Sequence, residues 1–278
     1  MKYFFAVFLY ASSLFALNFN VTSLDIKNGQ SAIITFEKDK SIVYKHVRID
    51  DKRYKIFDNY VVIPIGYYAK PKEKWLIINY TQNGVWKSKI VDFNIVDGKY
   101  KKETIKVKSS KVTLSKVDKK RAAKEYQEAM DIYNTTTRKS YISSKFIQPI
   151  DSKITSSFGK ARVYNNTLKG YHSGTDFRAK VGTPILVAND GKVVLVKDRF
   201  YSGGSIIVDH GYGLYTCYYH MSKFNVKVGQ MVKKSQVIGL SGVSGRVTGP
   251  HLHYSIRAGG IQVDPLQITN LLNKEILQ

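Results

Sequence analysis

Alternation of apolar and polar residues dominates the first third of the chain. It is seen at residues 91–95 and 105–107, and short apolar runs occur at residues 33–36 and 75–78. Successive side chains of a strand point to opposite faces of a sheet, so this alternation indicates half-buried strands. Asn-Gly and Asp-Gly pairs, which favour tight turns, punctuate the runs. Several short strands at this spacing predict a small β-sandwich over residues 17–110.

A helical period replaces the alternation after residue 110. Ser115 is a good amino-terminal cap, and Asp118 three residues later completes a capping-box pattern. The apolar residues that follow recur at helical spacing on one face: Ala122, Tyr126, Ala129, Met130 and Tyr133. We therefore predict a helical connector over residues 111–145 that packs one domain against the other.

The composition changes again from Phe146 onward, to glycine and β-branched residues. Strands are predicted at residues 185–188, 192–196, 205–209, 214–220, 237–240 and 251–256, with glycines between them. The pattern predicts a second domain, a mostly antiparallel β-sheet over residues 146–268. A tail follows at residues 269–278, and the segment from Pro265 onward has the leucines and isoleucine of a short terminal helix. The fold class is thus all-β, with one connecting helix.

The amino terminus has the features of a secretory signal. Lys2 precedes an uncharged stretch from Tyr3 to Leu17 with small residues near its end. The stretch is too short for a comfortable membrane span, and we expect cleavage after Ala16, with an uncleaved anchor as the alternative. We therefore expect an exported protein that is located in the periplasm or cell envelope.

The chain is strongly basic, with 44 Lys and Arg against 21 Asp and Glu and a formal net charge of +23. Such a charge suits an anionic surface such as cell-wall polymer. No nucleic-acid-binding module accompanies it, so nucleic acid is not an expected partner. Cys217 is the single cysteine, which excludes an internal disulfide.

Histidines carry the candidate chemistry. The second domain holds five of the six, and His172 and Asp176 bracket a Ser-Gly-Thr turn. His251 and His253 are two apart and would share one face of a strand. A catalytic zinc usually has three protein ligands, which two imidazoles and one carboxylate would satisfy. The constellation predicts a divalent metal site.

Strand alternation extends the interpretation to the neighbouring strand. Thr216, Tyr218 and His220 should share a face, which puts Cys217 on the other face as a buried small residue. His210 enters a Gly-x-Gly turn and is interpreted as structural. His46 stands apart in the first domain and is not an expected ligand.

Six stretches of the second domain stand out, in chain order: Ile154-Thr155-Ser156-Ser157-Phe158-Gly159, His172-Ser173-Gly174-Thr175-Asp176, Gly182-Thr183-Pro184, Tyr218-Tyr219-His220-Met221-Ser222, Gly245-Arg246-Val247-Thr248-Gly249-Pro250-His251-Leu252-His253 and Val263-Asp264-Pro265. Together they resemble the lysostaphin-type, or LytM-like, zinc metallopeptidases that cut peptide bonds in bacterial peptidoglycan. The resemblance covers about residues 150–265.

The resemblance implies one Zn²⁺ per chain, bound by His172, Asp176 and His253. It also implies that His220 and His251 flank the zinc-bound water and act in catalysis, with the division of proton transfers between them left open. Family members carry an arginine and then a proline soon after the Phe-Gly turn. Here Arg162 comes one place later without a proline, so Arg162 and Tyr164 are candidates for substrate contact or plain loop residues.

The expected function is an exported zinc-dependent peptidoglycan hydrolase. Its expected bond is the D-alanyl–diaminopimelate cross-link, cut as a DD-endopeptidase, with carboxypeptidase activity also open. The alternative is a non-catalytic wall-binding scaffold or amidase activator of the same fold, which would lack zinc. We expect a monomer. Autoinhibition by the first domain and a regulatory partner in the periplasm or inner membrane both stay open.

Overall fold

The computed structural model describes residues 17–166 and 168–277, so the predicted signal sequence lies outside the described residues. No helix within these two ranges is long and apolar enough to cross a membrane. The first domain contains the strands β1 (Phe19–Val21), β2 (Asp25–Lys27), β3 (Ser31–Phe36), β4 (Ile42–Ile49), β5 (Lys52–Lys55), β6 (Tyr60–Pro64), β7 (Lys72–Gln82) and β8 (Val85–Val96).

The first domain is the predicted β-sandwich. One sheet has the order β1-β3-β6 and the other has the order β2-β8-β7-β4-β5. Side chains that alternate along β7 decide how the sheets pack: Leu76 and Ile78 are buried, whereas Trp75 is 67% exposed. The buried set meets Ile34 and Phe93 in one core between the sheets. The alternation of apolar and polar residues along each strand therefore predicts which of its faces points into the core.

The connector is the helix α1 (Lys116–Tyr133), capped as predicted by Ser115, whose Oγ accepts a hydrogen bond from the Asp118 amide. Ala129 and Tyr133 pack against the second domain. Tyr126 was predicted on the packed face and is instead 60% exposed. Glu125 is buried in that region, because its carboxylate accepts hydrogen bonds from Arg121 and from the Phe200 amide, both at 2.7 Å.

One strand and a 3₁₀ helix lie between the first domain and α1, and the elements after α1 form the second domain. The elements are β9 (Lys102–Ile105), a 3₁₀ helix (Ser109–Lys111), β10 (Ile154–Ser156), β11 (Ala161–Tyr164), β12 (Leu168–Tyr171), β13 (Thr175–Arg178), β14 (Pro184–Leu186), β15 (Gly191–Arg199), β16 (Gly203–Asp209), β17 (Leu214–Phe224), β18 (Met231–Val232), β19 (Val237–Ser241), β20 (His251–Ala258), β21 (Ile261–Val263) and α2 (Pro265–Glu275).

The main sheet of the second domain is antiparallel, as predicted. Its order is β10-β13-β20-β17-β16-β15-β18, with β14, β19 and β21 paired alongside. The predicted terminal helix is α2, capped by Asp264, and its residues Ile268 and Leu272 join the core of this domain. The segment after residue 268, expected to be a tail, thus continues a packed helix.

Strand β9 departs from the prediction that residues 105–107 belong to the first sandwich. It pairs in parallel with β11, and β11 and β12 form a hairpin of the second domain. The short segment between the sandwich and α1 therefore adds a strand to the domain that carries the histidines.

The two domains share a continuous core. Ile33 and Tyr60 of the sandwich are buried in the same cluster as the main sheet of the second domain. The Gln267 side chain binds the backbone of Ser31 at both its N–H (3.0 Å) and its C=O (2.7 Å). These contacts fix the sandwich against the second domain.

Removal of the Glu125 carboxylate should loosen α1 from the sheet. Glu125→Ala removes the carboxylate that accepts from the buried Phe200 amide and from Arg121, which should lower the free energy of unfolding by about 2 kcal/mol. Tyr126→Ala, one residue along and exposed, is the matched control and should change it by less than about 0.5 kcal/mol. Urea denaturation of both variants measures the difference. Equal losses would show that the buried carboxylate does not brace the helix.

Candidate metal centre

Three candidate ligands meet because two strands pair in one register. β13 and β20 are antiparallel neighbours, and Asp176 lies directly opposite His253. His172 precedes β13, and its backbone amide donates to the Lys160 carbonyl at 2.8 Å. The structure therefore brings the three predicted metal-site residues together, all of them buried.

The three side chains present one atom each to a common point. Asp176 Oδ1 lies 2.9 Å from His172 Nε2 and 2.8 Å from His253 Nδ1, and the two ring nitrogens are 3.1 Å apart. His172 Nδ1 lies 2.8 Å from the Ser157 carbonyl, which can only accept a hydrogen bond, so this nitrogen carries the ring proton. In neutral His172, Nε2 then presents a lone pair to the carboxylate. A bound cation would reconcile such a contact between two acceptors.

The electrostatics of the site favour metal-ligating protonation states. Burial alone would raise the pKa of Asp176, but the rings of His172 and His253 outweigh it and hold that pKa well below the usual range. Burial lowers the pKa of His253 to about 4, although Asp176 opposes the shift. An ionised carboxylate next to neutral imidazoles is the form that binds a metal ion.

Gly174, inside the His172–Asp176 turn, lets β20 approach. A Cβ at this position would lie 2.4 Å from the Tyr254 carbonyl oxygen and 2.6 Å from His253 Nε2. Any side chain at position 174 would therefore collide with β20 and with the ring of His253, so the motif requires glycine here.

His220 reaches the site by a route that strand alternation does not predict. Between the pairs Gly204↔Met221 and Ile206↔Tyr218, β17 carries one more residue than β16, and His220 has a left-handed φ of 63°. This bulge turns the ring of His220 towards His253, at a centroid separation of 5.9 Å.

The prediction that His220 shares a face with Tyr218 was therefore wrong. Tyr218 packs into the main core on the opposite side of the sheet. Cys217 is buried, as predicted, but the stated reason also fails: it lies on the α1 side with Tyr133, whose hydroxyl is 3.2 Å from its sulfur.

His220 and His251 are neighbours, with ring centroids 4.8 Å apart. The Nδ1 of His220 contacts the Ser244 carbonyl and that of His251 contacts the Gly249 carbonyl, each at 2.8 Å. Because a carbonyl accepts from an N–H, each ring carries a proton on Nδ1, so that Nε2 is the proton acceptor when the ring is neutral. Burial, together with the charges of His251 and His253, lowers the pKa of His220 well below its ordinary value.

An open groove of about 530 Å³ runs beside these groups. Arg162 and Asp176 line it, and β9 and the loop at residues 248–250 contribute walls. Arg162 is largely buried and bonded to Glu103, whereas the ring of Tyr164 lies 4.1 Å from the Arg246 guanidinium. Substrate contact by Arg162 and Tyr164 stays a prediction.

Two contributors were missed by the sequence analysis. Glu103 lies in a four-residue strand outside the predicted domain, and only its pairing with β11 places it at the groove. The predicted alternation would put Tyr219 on the face of Cys217, opposite His220, yet its ring lies nearly parallel to that of His253 at a centroid separation of 5.5 Å. His210 was predicted to be structural, and it is buried with both ring nitrogens bonded, to the Asp190 carbonyl and to Thr216.

Comparison with known proteins agrees with the site. Residues 170–265 match the model of peptidase family M23. The chain is 43% identical over 122 residues to the peptidoglycan DD-endopeptidase ShyA of Vibrio cholerae, which is 43% of this chain and 28% of that protein. It is 37% identical over 97 residues to the DD-carboxypeptidase/endopeptidase Mpg of Neisseria meningitidis, 35% of this chain and 22% of that protein.

The likeness extends well beyond residues 170–265 in one solved structure. A protein of Pseudomonas aeruginosa described as a peptidase M23 superposes with a TM-score of 0.67 at 26% identity, covering 88% of this chain and 95% of that one. The M23 match contains the three converging candidate ligands and both neighbouring histidines. Residues 170–265 of the chain are therefore a peptidase family M23 domain, from the family of metallopeptidases that the sequence resemblance indicated.

Proposed function

We propose that this protein is an exported zinc-dependent peptidoglycan hydrolase that acts in the periplasm or cell envelope. Its proposed substrate bond is the D-alanyl–diaminopimelate peptide cross-link, cut as a DD-endopeptidase, with carboxypeptidase action on the same stem peptides. The observation that carries the proposal is the convergence of His172, Asp176 and His253 next to two histidines whose Nδ1 atoms each donate to a backbone carbonyl. The names of the Vibrio and Neisseria relatives support the choice of substrate.

The donor set fits zinc. Two imidazole nitrogens and one carboxylate oxygen suit Zn²⁺ better than Mg²⁺ or Ca²⁺, which prefer oxygen ligands alone. Ligand atoms about 2.1 Å from a tetrahedral ion are about 3.4 Å apart, so the observed separations of 2.8–3.1 Å need an outward shift of only a few tenths of an ångström. When bound, Zn²⁺ would polarise the scissile carbonyl and lower the pKa of a water molecule.

His220 and His251 would carry out the proton transfers of the hydrolysis. Each Nδ1–H is committed to a backbone carbonyl, so each ring is oriented with Nε2 as a proton acceptor. One Nε2 would take the proton of the attacking water, and a protonated Nε2 would donate to the leaving amine nitrogen. The depressed pKa of His220 keeps that ring neutral before the reaction, as a proton acceptor requires.

The groove suits a peptide that carries carboxylates. Arg178 follows Asp176 by two residues on β13 and lies opposite His251 in the register. Lys106 lines the same groove and belongs to the connecting segment, which is residues 97–115 between β8 and α1. Within the described part of the chain, neither cation has an ion-pair partner. Peptidoglycan stem peptides are anionic, so a positively charged groove would attract them.

The purified protein should contain about one zinc ion per chain, as expected for a site with three protein ligands. His253→Ala removes one imidazole ligand and should lower the zinc content to about a tenth of that or less, with loss of sacculus digestion. His46→Ala, in the first domain, is the matched control and should keep wild-type zinc content. Elemental analysis decides: zinc retained at wild-type stoichiometry in His253→Ala would rule out this ligand set.

His220→Ala and His251→Ala should separate catalysis from metal binding. Neither is in the proposed ligand set, so both variants should retain zinc. Loss of proton transfer should reduce the rate of peptide hydrolysis by about 10²- to 10⁴-fold. Zinc content and initial rates measured on the same samples test this. A wild-type rate in both variants would contradict the assigned role.

Mass analysis of the muropeptides that a muramidase releases from purified sacculi, after treatment with the protein, identifies the bond. We expect cross-linked dimers to fall and monomers to rise, because hydrolysis of the D-alanyl–diaminopimelate bond separates stem peptides without cutting glycan. Samples with a zinc chelator are the control. Loss of terminal D-alanine with intact cross-links would show that carboxypeptidase action is the activity, and intact stem peptides would refute the hydrolase proposal.

A further inference from the structure

Strand β9 is fixed against the hairpin that lies beside the metal centre. The Ala161 amide donates to the Lys101 carbonyl at 2.9 Å, and the Asn165 amide donates to the Ile105 carbonyl at 3.0 Å. The Asn165 side chain also accepts from the Val107 amide (2.9 Å) and donates to the Val107 carbonyl (2.8 Å). Backbone bonds at both ends therefore hold the connecting segment in one register on β11.

That register places Glu103 directly beside Arg162. Arg162 Nε donates to Glu103 Oε1 at 2.7 Å, and Lys160 Nζ lies 3.2 Å from the other carboxylate oxygen. The Arg162 and Glu103 side chains are only 13% and 25% exposed, so solvent screens this pair less than a surface ion pair. Glu103 thus supplies the counter-charge for Arg162.

The other end of Arg162 touches the metal centre. Its Nη2 donates to Ser156 Oγ at 3.1 Å and to Asp176 Oδ2 at 3.4 Å. Oδ2 is the carboxylate oxygen opposite Oδ1, the atom that faces the two imidazoles. Glu103, Arg162 and Asp176 therefore form a continuous chain of contacts from the connecting segment to a proposed zinc ligand.

Glu103 should affect the site in two ways that act in the same direction. It holds the guanidinium where Nη2 reaches Oδ2, and residues that orient a ligating group are typically worth about 10- to 100-fold in metal affinity. It also neutralises a cation in contact with the ligand set, which would otherwise repel a divalent ion. Loss of the Glu103 charge should therefore weaken zinc binding through both effects.

We propose that Glu103 is a positioning residue that raises the zinc affinity of the M23 site by acting through Arg162. The connecting segment therefore contributes to metal binding. This inference rests on the proposed zinc site. It assigns to the connecting segment a supporting role at the centre, in addition to its role as a wall of the groove.

A simpler role for the same ion pair is to fasten β9 to the hairpin, and a double-mutant cycle separates the two. The variants are Glu103→Gln, Arg162→Gln and the double variant, with Lys160→Gln as the matched control because Lys160 binds the same carboxylate without contacting Asp176. The zinc Kd of each full-length protein is measured by competition with a chromogenic chelator. Thermal unfolding of the metal-free proteins reports whether the fold is retained.

We expect Glu103→Gln to raise the zinc Kd by about tenfold when Arg162 is present. In the Arg162→Gln background the same change should alter the Kd by less than about twofold, because the path to Asp176 is already broken. Lys160→Gln should likewise stay within about twofold of wild type. Unfolding temperatures of metal-free Glu103→Gln and Lys160→Gln should be similar.

An unchanged Kd in Glu103→Gln, or the same increase with and without Arg162, would overturn the proposal. A lower unfolding temperature with an unchanged Kd would assign the ion pair to strand fastening alone. If the wild-type protein binds no zinc, the proposed function fails and this inference fails with it. Tight zinc binding by wild type and by Glu103→Gln alike refutes only the role of Glu103.

Discussion

The arrangement of the candidate metal centre depends on the contacts of the Asp176 Oδ1 oxygen with two imidazole rings. Two imidazole nitrogens lie within 2.9 Å of it, and the carboxylate is buried. An isolated buried carboxylate would be strongly destabilising, so its position requires compensating polar partners. The β13–β20 register brings His253 to this oxygen, and Arg162 donates to the second oxygen, whereas His172 presents a lone pair to the carboxylate. A bound cation would complete this compensation.

Two local features of the backbone deliver the remaining groups. The bulge in β17 holds His220 in a left-handed conformation that costs about 1–3 kcal/mol for a residue other than glycine. The absence of a side chain at Gly174 allows the backbone of β20 and the ring of His253 to approach the turn. Both features lie at the histidine cluster, where strain and close approach produce a side-chain arrangement that regular strands would not.

Local patterns in the sequence predicted what local geometry determines. Alternation placed His251 and His253 on one face because β20 is regular there, and Ser115 capped α1 because its hydrogen bond is made three residues away. The same rule failed at His220, since one extra residue shifts the phase of β17. Glu103 and Glu125 could not be assigned from sequence, because their partners Arg162 and Phe200 are distant along the chain and are set by tertiary packing.

Anomalous diffraction from crystals of the zinc-loaded protein, recorded on both sides of the zinc absorption edge, tests whether these three side chains bind the ion. We expect one strong anomalous peak about 2.0–2.2 Å from His172 Nε2, Asp176 Oδ1 and His253 Nδ1. A peak at a different set of side chains, or no zinc peak between β13 and β20 in fully loaded protein, would contradict it.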